Sequence, residues 1–263
     1  MQSLRPIIGA FSPTILARII QAKQVLAPVS NHPWLDACSP SKRAAIVKSR
    51  FQILPATFKR SPLFVIDVGA NHGQWIGSLL ELLHIPEVWI FEPNSEAMKI
   101  CQQRIGSRAG VEYFNMALGD ATGQITLHVT ASSDFASVLL PRDEFLLSHY
   151  GKSAASVVLN EQVEVCTLDS LVPDSRTVDL LKIDVQGFER AVLSGARRVL
   201  ARTRAVLIEA NLQSHYVGDD NFPALWSILA EYGFSFWSLS PPYLGQRGES
   251  LWADAVFVKE DSA

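Results

Sequence analysis

The sequence has little cysteine: Cys38, Cys101 and Cys166 are its only three, widely separated among 263 residues. An odd number at such spacings forms neither a disulfide framework nor a zinc-binding pair, and points to a reducing, cytoplasmic setting. No apolar run approaches the ~20 residues that a membrane-spanning helix requires. Excess charge of one sign is lacking too, since 23 Lys and Arg against 26 Asp and Glu leave a formal −3. No internal repeat and no long low-complexity segment is present, and a 48% hydrophobic composition excludes global disorder. The dinucleotide signature G-x-G-x-x-G is absent, as is a glycine loop ending in GK[ST]. Their absence disfavours a pyrophosphate-held NAD site and ATP hydrolysis.

What charge there is lies unevenly. Residues 1–60 carry nine Lys or Arg against one acid, Asp36, while the rest carries 14 basic and 25 acidic residues. Pro28, Pro33, Pro40 and Pro55 punctuate this segment, which reads as a helical N-terminal extension with one helix over Lys42–Phe51. Met1–Arg5 and the apolar stretch after it are broken by prolines and a glycine, unlike a secretory signal. Residues 13–26 read as a helix packed on the domain. The alternatives are peripheral membrane contact through residues 1–26, or nucleic-acid contact by the basic region.

From residue 61 the pattern changes to short apolar runs alternating with helical stretches, the mark of a parallel sheet covered on both faces. Strands are expected at Leu63–Val68, Val88–Phe91, Val111–Met116, Val178–Val185 and Ala205–Ala210. Two more, Gln124–Val129 and Val163–Leu168, flank a polar insertion at about 130–162 that is expected to form a lid. Helices are expected over Gln74–Leu83, Ser95–Ile105, Phe188–Ala201 and Pro223–Tyr232. Phe234–Leu239 and Ala253–Val258 read as a closing antiparallel pair, with SPPY at Ser240–Tyr243 as a turn between them.

Three motifs carry chemistry. FVIDVGANHGQW at Phe64–Trp75 places Asp67 near the end of an apolar strand, and Gly69, Ala70, Asn71 and Gly73 in the turn after it. Such a turn lets backbone approach a nucleotide-type ligand at a sheet switch point. VWIFEPN places Glu92, with Pro93 and Asn94, at the end of the second strand. There a carboxylate offers two acceptors to ribose hydroxyls, or else begins a helix. After the third strand, NMALGD brings Ala117 and Leu118 to an adenine ring or to the core, and Asp120 to an adenine amino group or to a turn.

VDLLKIDVQGFERAV at Val178–Val192 then places Asp184 at a strand end beside the glycine loop. With DVGANHG, FEPN, ALGD, TLDSL, VLSGA and LIEAN, in order over about 61–259, this resembles the FkbM-type methyltransferases. The resemblance implies a class I methyltransferase fold of Rossmann-like α/β type, with a seven-stranded, mostly parallel sheet and an antiparallel final strand. It also implies S-adenosylmethionine as cofactor and a domain spanning 61–263. The expected reaction is O-methylation of a hydroxyl on a sugar, glycolipid or secondary metabolite, so the partner is a small-molecule or glycan acceptor. The family motif I-D-V-E-G differs here, with Gln186 in place of the Glu.

Methyl transfer rests on positioning, and something must take the hydroxyl proton. The candidates are Asp184, Glu209 at the end of the fifth strand, and His215 in the loop after it, each with a structural alternative: loop bracing, a buried hydrogen bond, or an ordinary surface histidine. No metal ligand set is assigned. The rival readings are a nucleic-acid methyltransferase and a non-catalytic cofactor-binding, membrane-associated protein.

Overall fold

The computed structural model describes residues 53–54, 63–150 and 155–259. The expected N-terminal helices, and with them the extension over 1–60, lie outside the described residues apart from Ile53 and Leu54. Leu54 is buried, and the Ile53 carbonyl accepts a hydrogen bond from Ser238 Oγ.

Strand β1 (Phe64–Val68) is buried at all five residues, as a strand covered on both faces must be. It is followed by α1 (Gln74–Leu82), β2 (Glu87–Phe91), α2 (Ser95–Ile105) and β3 (Val111–Phe114). After the insertion come β7 (Val178–Ile183), α5 (Glu189–Ser194), α6 (Arg197–Ala201), β8 (Thr203–Asn211) and α7 (Phe222–Glu231). The chain closes with β9 (Ser235–Leu239), β10 (Tyr243–Leu244) and β11 (Ser250–Val258).

The central sheet runs β10-β11-β8-β7-β1-β2-β3, with β9 also paired to β11. From β3 to β8 every neighbour is parallel, and β11 enters antiparallel between β8 and β9. The strand count is eight, where seven were expected; the addition is the two-residue β10, paired with β11 beyond the end of β9. Two apolar clusters cover the sheet. One sets Val192, Leu200, Leu225 and Leu229 against β7 and β8, and the other sets Trp75, Ile76, Leu79 and Met98 against β1 and β2.

Three local expectations change. The third strand stops at Phe114, and Ala117–Leu118 forms a separate strand, β4. It joins β5 (Gly123–Thr130) and β6 (Val157–Cys166) in a second, three-stranded sheet. The insertion carries a 3-10 turn at Ser133–Phe135 and helix α3 (Asp143–Tyr150), and α4 (Leu168–Leu171) follows β6. The helix read over Phe188–Ala201 is two short ones, broken at Gly195–Ala196. There a Cβ on Gly195 would lie 1.9 Å from the Gly119 carbonyl oxygen, so the backbones meet where a continuous helix would carry a side chain. Ser240–Pro242 connects β9 to β10 without regular structure.

Candidate active site

The parallel strands point their carboxyl ends to one edge of the sheet. The order reverses between β1 and β7, which opens a crevice where ligands bind such sheets. A cavity of about 590 Å³ occupies it. Of the expected cofactor residues, Gly69, Ala70, Asn71, Glu92, Pro93, Ala117 and Leu118 line this cavity, joined by Met116. Asp67, Gly73, Asn94 and Asp120 do not. Asp120 is exposed and lies outside the lining of this cavity. Asn94 instead caps α2, its Oδ1 accepting from the Glu96 and Ala97 amides at 3.0 and 3.1 Å.

The loop after β1 is fitted to β7. Gly69 has φ +80°, and a Cβ there would lie 1.8 Å from the Asp184 carbonyl oxygen. Asn71 also adopts a left-handed conformation, φ +48°, a strained choice for a residue with a side chain. Its amide donates to Glu92 Oε2 at 2.7 Å, and the Asn94 amide donates to Glu92 Oε1 at 2.8 Å. Glu92 thus braces both turns and faces the cavity. Burial pushes its carboxyl up to about 7 against the pull of those two amides.

Behind the loop lies a residue that the motif reading passed over. Lys182 is buried, 3.0 Å from Asp67 Oδ1, 3.4 Å from Asp184 Oδ2 and 3.1 Å from the Gly69 carbonyl, to which it donates. It ties β1, the glycine loop and Asp184 together. Burial works against its charge, but the Asp67 and Asp184 carboxylates outweigh that and hold it above the ordinary lysine range. A lysine inside an otherwise apolar strand, in line with two acids, was the available signal. Asp67 is fully buried and reaches the cavity only through Lys182. Lys182 is its one charged neighbour at contact distance, and Oδ2 of Asp67 has no hydrogen-bond donor. The Asn71 Oδ1 atom is buried and unpartnered as well. The unused Asn71 acceptor in the loop, with backbone too close for any side chain at Gly69, fits a polar ligand with donor groups.

The three expected catalytic candidates all reach the cavity. Gln186 joins two of them, donating from Nε2 to Asp184 Oδ1 at 2.9 Å and to Glu209 Oε2 at 2.6 Å. Burial drives Glu209 well above the usual carboxylate range, and neighbouring Asp184 adds to it. Burial opposes the Asp184 anion too, but Lys182 and hydrogen bonds from Glu209 and Gln186 prevail and hold it below that range. The two carboxyls are therefore pushed in opposite directions, Asp184 toward its ionised form and Glu209 toward its neutral one.

His215 is not a surface histidine. It is buried, its Nδ1 meets the Gln213 carbonyl at 2.7 Å, and Nε2 lies 3.1 Å from Tyr150 Oη. Only a protonated Nδ1 satisfies that carbonyl, which leaves Nε2 to accept from the tyrosine. Burial pushes its pKa down to about 4. Asp219 Oδ2 accepts from the His215 and Tyr216 amides at 2.8 and 3.2 Å and so sets this loop. The far wall is aromatic, with Tyr150 stacked on Tyr243 and Tyr243 on Trp252, at 5.5 and 5.7 Å between centroids.

Part of the insertion touches the glycine loop. Asn71 Nδ2 donates to Asp134 Oδ1 at 2.8 Å, and Ser133 Oγ lies 3.3 Å from His72 Nε2. Among the described residues no three His, Cys, Asp or Glu side chains converge as metal ligands, and no helix is long and apolar enough to cross a membrane.

A sheet of this order, with the cavity and acid placed at its switch point, defines a class I methyltransferase. The family model described as the Methyltransferase FkbM domain matches residues 67–236, and the chain belongs to that family of methyltransferases, with S-adenosylmethionine as its expected cofactor. It is similar to the 2-O-methyltransferase NoeI of Sinorhizobium fredii (strain NBRC 101917 / NGR234), at 26% identity over 200 residues, covering 73% of this chain and 80% of that one. Its fold is similar to the crystal structure of Methyltransferase FkbM from Methylobacillus flagellatus KT. The TM-score is 0.51 at 14% identity, over 93% of this chain, which spans 59% of the length of that one.

The Glu92 environment carries an expected pH dependence. Below about 7 its carboxyl is protonated, and above that value both oxygens are acceptors. If only the ionised form receives ribose hydroxyls, affinity for S-adenosylhomocysteine rises by about tenfold between pH 6 and pH 8. Calorimetric titrations across that range check it, and a flat profile would remove Glu92 from ligand contact.

Proposed function

We propose that this protein transfers a methyl group from S-adenosylmethionine to a hydroxyl of a small-molecule or glycan acceptor. The observation that carries the reading is that Asp184 and Glu209, bridged by Gln186, stand on the wall of the cavity that the glycine loop also lines, with burial and Lys182 setting the two carboxyls apart. The similarity to a 2-O-methyltransferase supports oxygen as the attacked atom.

Glu92 would hold the ribose hydroxyls, Met116, Ala117 and Leu118 the adenine, and the loop at Gly69–Asn71 the amino-acid end. When bound, the cofactor supplies a methyl carbon on a sulfonium, a leaving group that departs neutral. Asp184 accepts the hydroxyl proton as the oxygen gains its methyl group, and Lys182 steadies the carboxylate until then. Burial favours the neutral form of Glu209, so Asp184 is the better placed of the two to act as base. His215 is neutral with Nε2 engaged by Tyr150, so it orients the acceptor wall. Tyr150, Tyr243 and Trp252 line the part of the cavity beyond Asp184 and offer flat apolar surface to a ring.

Asp184→Asn is expected to lower turnover by roughly 10²- to 10⁴-fold, the usual weight of general-base assistance. S-adenosylhomocysteine affinity should stay within a few-fold of wild type. Turnover is read as S-adenosylhomocysteine release over a panel of hydroxylated acceptors. Equal loss of cofactor affinity would assign Asp184 a structural role. The basic segment behind the nucleic-acid alternative lies outside the described residues.

A further inference from the structure

Gln186 stands where the sequence departs from the family motif, and its surroundings fix its amide in one sense. Tyr216 Oη donates to its Oε1 at 2.8 Å, while Nε2 faces carboxyl oxygens of Asp184 and Glu209. Turned over, the amide would aim its oxygen at the Asp184 carboxylate, which has no hydrogen to give, and lose that bond. The backbone is held as firmly. Gln186 has φ +57°, uncommon for a residue with a side chain, and Ser137 Oγ donates to its carbonyl at 2.7 Å. Buried Glu189 accepts from the Val185 and Gly187 amides at 3.2 and 3.1 Å, which braces the turn from below. A strained residue held from both sides, with each polar side-chain atom engaged, is a built feature.

We propose that Gln186 is a positioning residue whose amide bridges Asp184 and Glu209, fixing both carboxyls for the reaction without adding a third negative charge to them. This rests on the reading of Asp184 as the base. The other groups facing the bridge are Lys182 on β7, Asp67 on β1, Asp254 on β11, Glu189 on α5, and Tyr150, His215 and Tyr216 around the acceptor wall. Only Lys182 is cationic, and it is committed to Asp67, Asp184 and the Gly69 carbonyl. A neutral double donor thus supplies what a second cation would otherwise have to supply. The bridge holds Asp184 Oδ1 and Glu209 Oε2 and leaves the remaining oxygen of Asp184 to Lys182 and the acceptor.

The test is carboxyl ¹³C NMR titration of the full chain labelled at Asp and Glu, in wild type, Gln186→Glu and Gln186→Leu. In Gln186→Glu three carboxyls converge, and one further carboxyl is expected to hold a proton at pH 7. In Gln186→Leu the Asp184 and Glu209 titrations are expected to move by at least one pH unit. Unchanged titrations in both variants overturn the proposal. Tyr216→Phe provides an independent arm, since releasing Oε1 should shift the Gln186 side-chain amide resonance. An amide signal that stays in place would overturn the bridge as described. S-adenosylhomocysteine titration of the same wild-type sample reports on the methyltransferase reading separately. Its failure there would sink that reading and leave the carboxyl result intact.

Discussion

Glu92→Ala is expected to weaken S-adenosylhomocysteine binding by about a hundredfold or more. Two effects add. The carboxylate offers its remaining lone pairs to paired hydroxyls, and hydrogen bonds to a charged group contribute ~1.5–3 kcal/mol each. The same side chain holds the Asn71 and Asn94 amides at 2.7 and 2.8 Å, so its loss also frees a left-handed loop residue that must stay in place for the ligand. Glu92→Gln separates the two effects. It can keep one backbone contact by rotation, but it loses charge and replaces one acceptor with a donor. An intermediate affinity that no longer varies with pH is the expected result. Calorimetry on folded variants checks both, and wild-type affinity in Glu92→Ala would mean that the cofactor lies elsewhere.

Lys182→Met is expected to destabilise the protein by about 3–5 kcal/mol, the usual result of leaving a buried charge without its partner. Methionine fills nearly the same volume, so packing changes little. The loss comes from Asp67 and Asp184, which then face each other with no cation between them, and from the Gly69 carbonyl, which loses its donor. Asp67 should respond by holding a proton, since burial alone already favours its neutral form. At roughly 2–4 °C per kcal/mol for a domain of this size, Tm should fall by about 6–20 °C. Denaturant unfolding measures the change directly. A loss under 1 kcal/mol would show that the buried acids need no counter-charge.

Much of the sheet was legible because its strands are apolar on both faces and end in glycine turns or acids. FVIDV, VWIF and VLIEA each read as buried strands from composition, and their order followed from the helical stretches between them. The insertion was not legible in the same way. There β6 pairs with β5 on one side and β4 on the other, leaving Val157, Val158 and Leu159 exposed, so apolar character there does not report burial. Gly195 lies where Gly119, from another part of the chain, leaves no room for a side chain, and no local pattern encodes that approach.

The site divides along the same line. Glu92, Asp184 and Glu209 follow from the sequence, because an acid closing an apolar strand has one end of the sheet to occupy. Whether each acid faces the cavity depended on packing. Asp67 lies behind the glycine loop, Asp120 turns to solvent, and Asn94 is spent on a helix cap. The opposite shifts of Asp184 and Glu209 depend on burial, on Lys182 and on Gln186, whose amide meets side chains from β8 and from the loop beyond it. Sequence determined which chemical groups stand at the carboxyl edge of this sheet. Tertiary structure alone decided which of them are charged and which are spoken for, because desolvation and hydrogen-bond partners are set by residues distant along the chain.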